Sequence, residues 1–216
     1  WQQMNALIDQ ALADEAVKGI ILTSGKKDFA AGMDLNVLAD LRNASGENPA
    51  EGVFNGIQSI HQIFRKIERA GMDAKTNKGG KPIATVLPGT ALGIGFELPL
   101  ATHRIFAADN PKAKIGLPEI LVGLFPGAGG TIRLVRKLGA MVAAPFLLEG
   151  KTLPPAKAKA AGLIDSVSAD PMADARAWVL NATEADLIKP WDQKGYKMPG
   201  GTPYHPSGFM TFIGRS

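Results

Sequence analysis

Short β-branched runs alternate with stretches of helical periodicity along most of this chain, and that alternation limits the fold more than any other feature. Met4, Leu7, Ile8, Ala11 and Leu12 recur at helical spacing, so residues 2–14 read as an amphipathic helix. Ile20-Ile21-Leu22-Thr23 follows as a short buried strand, and Ser24 to Asp28 as a turn. A second helix is predicted from about Phe54 to Arg69, where Ile57, Ile60, Ile63, Phe64 and Ile67 share a face. Pro82 to Leu87 reads as the next strand, broken by Pro88-Gly89. A glycine-rich stretch then opens a helix that ends near His103, and Arg104 to Ala108 is a further strand. Helices are predicted at about 128–138, 141–148, 155–161 and 172–183, with a short strand at 163–167 between them. Strands and helices alternating at this spacing imply an α/β domain with parallel crossovers. No repeat of 20–50 residues is visible in the letters.

The texture changes at Lys189. From there to Ser216 prolines alternate with glycines, without helical or strand periodicity, which reads as a linker or extended arm. Trp191, Tyr196, Tyr204, Phe209 and Phe212 within it imply that part of it packs on something. The expected division is therefore a domain over residues 1–188 and an arm over 189–216. The chain begins at Trp1, inside a helical pattern and without an initiating methionine, so the domain is expected to be incomplete at its N-terminus.

A chain of 216 residues can build one sizeable core. It contains no cysteine, which excludes disulfides and thiolate metal sites and makes the cytoplasm the expected compartment. No apolar run approaches the ~18–20 residues that cross a bilayer, and neither end reads as a secretory signal. The net charge of +4 is mild, and aromatics are too few to form a stacking platform for single-stranded nucleic acid. Lys75, Lys78 and Lys81 form a local basic loop that is either a solvated surface or a phosphate contact.

Two glutamates stand out by their company: Gly93-Ile94-Gly95-Phe96-Glu97 and Gly116-Leu117-Pro118-Glu119. Gly93 and Gly95 let the backbone turn tightly and bring the Ile94 N–H close to a ligand, and a helix starting there aims its free N–H groups at the same place. Glu97 lies on the same face, three residues on. Exposed amides beside converging carboxylates suit chemistry on a carbonyl, where charge develops on oxygen while a proton moves nearby. A glycine-rich helix start chosen for close packing accounts for the first motif equally well. Leu98 stands where a dinucleotide fingerprint needs its third glycine, and no Walker lysine-serine pair follows Gly127 to Thr131. His61, His103 and His205 lack metal-ligand spacing, and no Gly-x-Ser-x-Gly elbow exists. His103 reads as a satisfied histidine at a helix end.

Three ordered motifs carry a resemblance. Phe29-Ala30-Ala31-Gly32-Met33-Asp34-Leu35, the segment Pro82 to Glu97, and Gly116 to Glu119 with Gly123 to Thr131 after it resemble the three signatures of the crotonase family. The resemblance covers roughly residues 1–185. It implies a spiral of ββα turns, assembled as a trimer-based homo-oligomer, that binds acyl-CoA thioesters and needs no other cofactor for hydration. Mapped by motif, it implies an oxyanion hole from the N–H groups of Met33 and Ile94, acid/base roles for Glu97 and Glu119, and substrate contacts from Ala31, Gly32, Asp34, Gly93, Phe125 and Pro126. Both glutamates are kept, as in the family's hydratases, so the implied reaction is addition of water to a trans-2-enoyl-CoA. Alternatives are a Δ3–Δ2-enoyl-CoA isomerase, needing Glu119 alone, and a non-catalytic acyl-CoA-binding module.

The sequence departs from the family pattern at three places. Ile94 replaces the usual glycine, Asn36 replaces a lysine that often meets a CoA phosphate, and the family's opening strands precede Trp1. The proline-glycine arm and the long insertion between Met33 and Pro82 are similar to those of multifunctional fatty-acid oxidation enzymes. That similarity implies a fatty-acid oxidation complex as partner, and NAD as a cofactor only if a 3-hydroxyacyl-CoA dehydrogenase domain follows.

Overall fold

The computed structural model describes residues 1–34, 36 and 48–202. Leu35 of the first motif, residues 37–47 of the insertion after it, and Tyr204, His205, Phe209 and Phe212 of the arm lie outside the described residues.

Helix α1 (Gln2–Ala13) leads to β1 (Ile20–Leu22). Helix α2 (Pro49–Arg69) starts earlier than its apolar periodicity predicts. The reason is local: Asn48 caps it by accepting from Glu51 N, Pro49 occupies the first turn, and Glu51 faces the positive end of the dipole. Its buried stripe is Ile63, Phe64, Ile67 and, unexpectedly, Glu68.

Four strands, β1, β2 (Ile83–Leu87), β4 (Arg104–Ala108) and β7 (Ser166–Ser168), form a parallel sheet in the order β1-β2-β4-β7. Registers such as Ile21↔Ala84, Thr85↔Ile105 and Ala107↔Val167 fix the pairing. All five residues of β2 are buried, as befits a central parallel strand covered on both faces. A second, smaller sheet holds β3 (Ala91–Leu92), β5 (Ile115–Gly116) and β6 (Thr152–Leu153), with β5 parallel to β3 and antiparallel to β6.

The chain steps between these sheets in a repeating way. It passes from β2 to β3 and into α3 (Ile94–Ala101), then from β4 to β5 and on to α4 (Gly130–Leu138). These are consecutive ββα turns of a spiral. Helices α5 (Ala140–Leu148), α6 (Pro155–Ala160) and α7 (Pro171–Asn181) complete the described helices. The strand expected over 163–167 forms its ladder only at Ser166–Ser168, while Leu163 and Ile164 sink into the core.

Helix α3 sits between two cores. Phe96 and Leu100 pack with Leu87, Ile105, Ile115, Leu117 and Leu134, whereas Leu98 and Ala101 join Ile8, Phe64, Ile67 and Ile83. A helix apolar all round has no solvent face, so it stays only where protein surrounds it. Its C-terminal carbonyls are held by Lys189, whose Nζ donates to Leu100 O and to Thr102 O. Residues 189–202 therefore lie on the domain: Asp192 makes a two-pronged ion pair with Arg65, and Tyr196 Oη donates to Arg136 O at 2.6 Å. His103 is satisfied at the end of α3, accepting from Ile83 N on Nδ1 while Nε2 lies 3.2 Å from Glu68 O. Burial pushes its pKa down to about 4, which keeps the ring neutral.

Candidate active site

Positive φ marks the two backbone turns that the motifs predicted. Gly32 lies at φ +107° and Gly93 at φ +56°, a region in which a side chain is strained. Leu92 N donates to Ala30 O at 2.9 Å, and Ala30 bridges Ala91, so the Ala31–Met33 turn is laid against the start of α3. The contact is close: a Cβ at Gly95 would lie 2.6 Å from Ala30 Cβ and 2.7 Å from its carbonyl oxygen. Gly95 thus serves the approach of the two segments.

The third motif reaches the same spot through the small sheet. Leu92 pairs with Gly116, and Gly93 N donates to Gly116 O at 3.1 Å. Glu119 opens a 3-10 turn (Glu119–Val122) immediately beyond. A Cβ at Gly93 would stand 3.2 Å from Glu119 Oε1 and 3.6 Å from Gly32 Cα. Three motifs spread over nearly ninety residues therefore meet within about a van der Waals contact of one glycine.

Among the described residues neither the Met33 N–H nor the Ile94 N–H has a hydrogen-bond partner. Ile94 is the first residue of α3, where an N–H has no partner inside the helix. Its side chain packs on the core around Phe64 and Ile67, so the bulk that replaces the family's glycine is carried into the protein.

Glu97 is buried and tightly held. Its Oε1 accepts from Gly130 N at 2.7 Å and Ala128 N at 2.9 Å, two amides at the start of α4. Gly130 has no room for a side chain, since a Cβ would lie 2.9 Å from Glu97 Cγ and Oε1. Among the described residues no hydrogen bond reaches Oε2. Burial pushes the Glu97 pKa up to about 7, and the charge of Glu119 adds to this against the amides of Gly130 and Ala128 and the guanidinium of Arg133. The Glu119 carboxyl is raised as well, by burial, and its Oε2 is buried with no partner among the described residues. An orphaned buried carboxylate oxygen is costly unless a ligand or a proton completes it.

The remaining predicted residues divide. Ala31 and Gly32 lie exposed on the turn, Pro126 is buried, and Phe125 is 72% exposed. Asp34 turns its carboxylate onto its own chain, accepting from Asn36 N and Asn36 Nδ2, both at 2.9 Å. Of the basic loop, Lys81 is committed elsewhere, donating to Ala11 O and Asp14 O at the end of α1.

Sequence reasoning missed three side chains that shape the loop before α4. Arg133 Nη1 donates to Ala128 O at 2.9 Å, and Arg133 Nε donates to Glu68 Oε1 at 2.8 Å. Both residues are buried, and the guanidinium stacks over Phe64 at 5.6 Å. His61 Nε2 lies 2.6 Å from Gly127 O. His61 and Glu68 stand about two turns apart on α2, each more than sixty residues of sequence from its partner, so no local pattern announces them. The only signal was the charged Glu68 inside an apolar helical stripe. Among the described residues no group of three metal-binding side chains is found, and no helix is long and apolar enough to cross a membrane.

Comparison with known proteins supplies independent findings. The family described as Enoyl-CoA hydratase/isomerase matches residues 1–185. The fatty acid oxidation complex subunit alpha of Shewanella halifaxensis (strain HAW-EB4) is 35% identical over 164 residues, which is 76% of this chain and 21% of that protein. The chain thus spans about a fifth of the length of the curated relatives it matches. Enoyl-CoA hydratase from Thermoplasma volcanium GSS1 superposes with a TM-score of 0.66 at 27% identity, covering 99% of this chain and 70% of that one. Enoyl-CoA hydratase from Bacillus anthracis gives 0.64 at 28% identity, covering 86% and 64%.

Proposed function

This chain belongs to the enoyl-CoA hydratase/isomerase, or crotonase, family, and we propose that it adds water to a trans-2-enoyl-CoA to give the 3-hydroxyacyl-CoA. The observation that carries this reading is the placement of two carboxyls with raised pKa beside two amides that have no partner among the described residues. Hydration requires all four. The thioester carbonyl accepts from the Met33 and Ile94 N–H groups, which draws electrons from C3. Water held between the carboxylates gives a proton to Glu97 as its oxygen bonds to C3. The enolate oxygen rests on the two amides until Glu119 protonates C2. Passing the proton back from Glu97 to Glu119 restores the pair.

Burial and the charge of Glu119 raise Glu97 to about 7, so near neutrality Glu97 can take up a proton and give it back, while burial raises Glu119 as well. Glu97 is anchored by one oxygen only, which leaves the other for the water. One oxyanion donor is typically worth ~3–4 kcal/mol, and one positioned acid or base ~10²–10⁴ in rate. The amides therefore contribute at least as much as either carboxylate. Hydration needs no further cofactor, since coenzyme A arrives as part of the substrate.

The likeness to fatty acid oxidation complex subunit alpha supports a place in fatty-acid β-oxidation; the same proposal has the protein act in the cytoplasm as a homo-oligomer. NAD enters only with a dehydrogenase unit elsewhere in that protein. The unpartnered Glu119 Oε2 also favours a second activity at this site, Δ3–Δ2 isomerisation, which needs one proton shuttle.

Mixing the protein in its full reading frame with crotonyl-CoA should bleach the enoyl-thioester absorbance. Glu97→Gln and Glu119→Gln should each slow this by ~10²–10⁴. Absence of bleaching by the unsubstituted protein sinks the hydratase reading. Isomerase activity on a Δ3-enoyl-CoA that survives Glu97→Gln and is lost in Glu119→Gln identifies the second activity.

A further inference from the structure

The loop that holds Glu97 is itself held from the far side. Gly127 and Ala128 share one peptide unit, whose carbonyl and N–H point in opposite directions because the unit is planar. Its N–H, on Ala128, donates to Glu97 Oε1 at 2.9 Å, and its carbonyl, on Gly127, meets His61 Nε2 at 2.6 Å. A carbonyl oxygen only accepts, so Nε2 carries the hydrogen and the imidazole donates. Fixing one end of a planar unit fixes the other.

The next peptide is pinned too, because Ala128 O accepts from Arg133, which is oriented by the buried Glu68. His61 and Glu68 both stand on α2, which carries none of the three motifs. The flanking glycines, with Gly129 at φ +98°, offer no stiffness of their own, so the peptide would swing without these holds.

We infer that His61 is a positioning residue for the reaction: its ring N–H fixes, through the Gly127 carbonyl, the amide that anchors Glu97. This rests on the hydratase reading of the site. Among the described residues the hydrogen bond of His61 is to Gly127 O and not to the carboxylate, so His61 acts through the peptide between them. The charged groups that face Glu97 are Glu119 from the 3-10 turn, which raises its pKa, and Arg133 from α4, which lowers it. The Ala128 and Gly130 amides also lower it.

The test compares His61→Leu, which fills the space without a donor, with His61→Gln, which keeps a donor and is likewise uncharged. The Leu variant should lose about five- to tenfold in kcat on crotonyl-CoA at pH 7, with KM within about twofold. The acidic limb of its kcat profile should move up by about one pH unit, the size of one hydrogen bond to a carboxylate. The Gln variant should recover most of both. A carbon-13 titration of the Glu97 carboxyl should show the same upward move, with or without turnover.

If the unsubstituted protein fails to hydrate crotonyl-CoA, the hydratase reading falls while the carboxyl titration still tests the clamp. An unchanged Glu97 titration in His61→Leu overturns the clamp, as does a fall in kcat with no movement of the limb. Should the Leu variant not fold, His61→Asn, too short to reach Gly127, gives the same reading.

Discussion

The two glutamates stand at one site in unlike surroundings. Glu97 rides on a helix enclosed by two cores, with one oxygen fixed by two amides and those amides fixed in turn from α2. Glu119 begins a single 3-10 turn whose next residues are open to solvent: Ile120, Leu121, Val122, Leu124 and Phe125 are all exposed. Its Oε2 has no partner among the described residues. One carboxylate is preorganised by the fold, and the other is completed by whatever enters. The difference suits their proposed tasks. Water must be placed before it can attack, whereas protonation of C2 follows the position of the bound acyl chain.

The largest break in this comparison should come from removing an amide on the ordered side. Ile94→Pro deletes the N–H at the first position of α3, where proline is well tolerated. It should cost ~10²–10³ in kcat for crotonyl-CoA hydration. Ile94→Ala keeps the N–H and loses similar packing, so its kcat should stay within about tenfold. Equal losses in the two variants would mean that the amide does not hold the oxyanion.

Next in size is the cost of ionising Glu97. Its folded pKa is raised from 4.5 to about 7, so the native state binds the proton more tightly than the unfolded chain does. Stability should then be undiminished below pH 4.5 and fall as pH rises from 4.5 through 7. The fall is on the order of 3 kcal/mol for a shift of this size. Urea midpoints at pH 5 and pH 8 measure it, and Glu97→Gln should flatten the difference. The same slope persisting in that variant would place the responsible group elsewhere.

The smallest effect should fall on the open side. Leu121→Ser removes a side chain that is 69% exposed, so it should change stability by less than about 0.5 kcal/mol. If the turn borders the acyl chain or a second copy of the protein, KM or the sedimentation coefficient will change instead. A large loss of stability would show that this face is more enclosed than the exposure of Leu121 implies.

Much of this was legible in the letters, for identifiable reasons. Helices α1, α4, α5 and α7 and the strands β1, β2 and β4 lie where periodicity and short apolar runs put them, because each carries a local pattern of its own. The two-residue strands β3, β5 and β6 carry no period and were invisible; they exist through pairing around Gly93 and Gly116. Gly93, Glu97 and Glu119 were readable because glycines with positive φ and short spacing leave a local mark. His61, Glu68 and Arg133 were not, since each acts on a partner held near it only by tertiary packing. His61 was set aside for lacking metal-ligand spacing, yet its work is done on a carbonyl.

Helix α3 contributes side chains to two cores at once, and this has a consequence for how such a protein can change over generations. Replacing Phe96, Leu98 or Leu100 disturbs folding and the placement of Glu97 together, so a variant with altered chemistry is also a less stable one. The Ile120–Phe125 surface carries no such double burden. A lineage of this chain can therefore drift in the company it keeps at that surface while Glu97 stays locked in place.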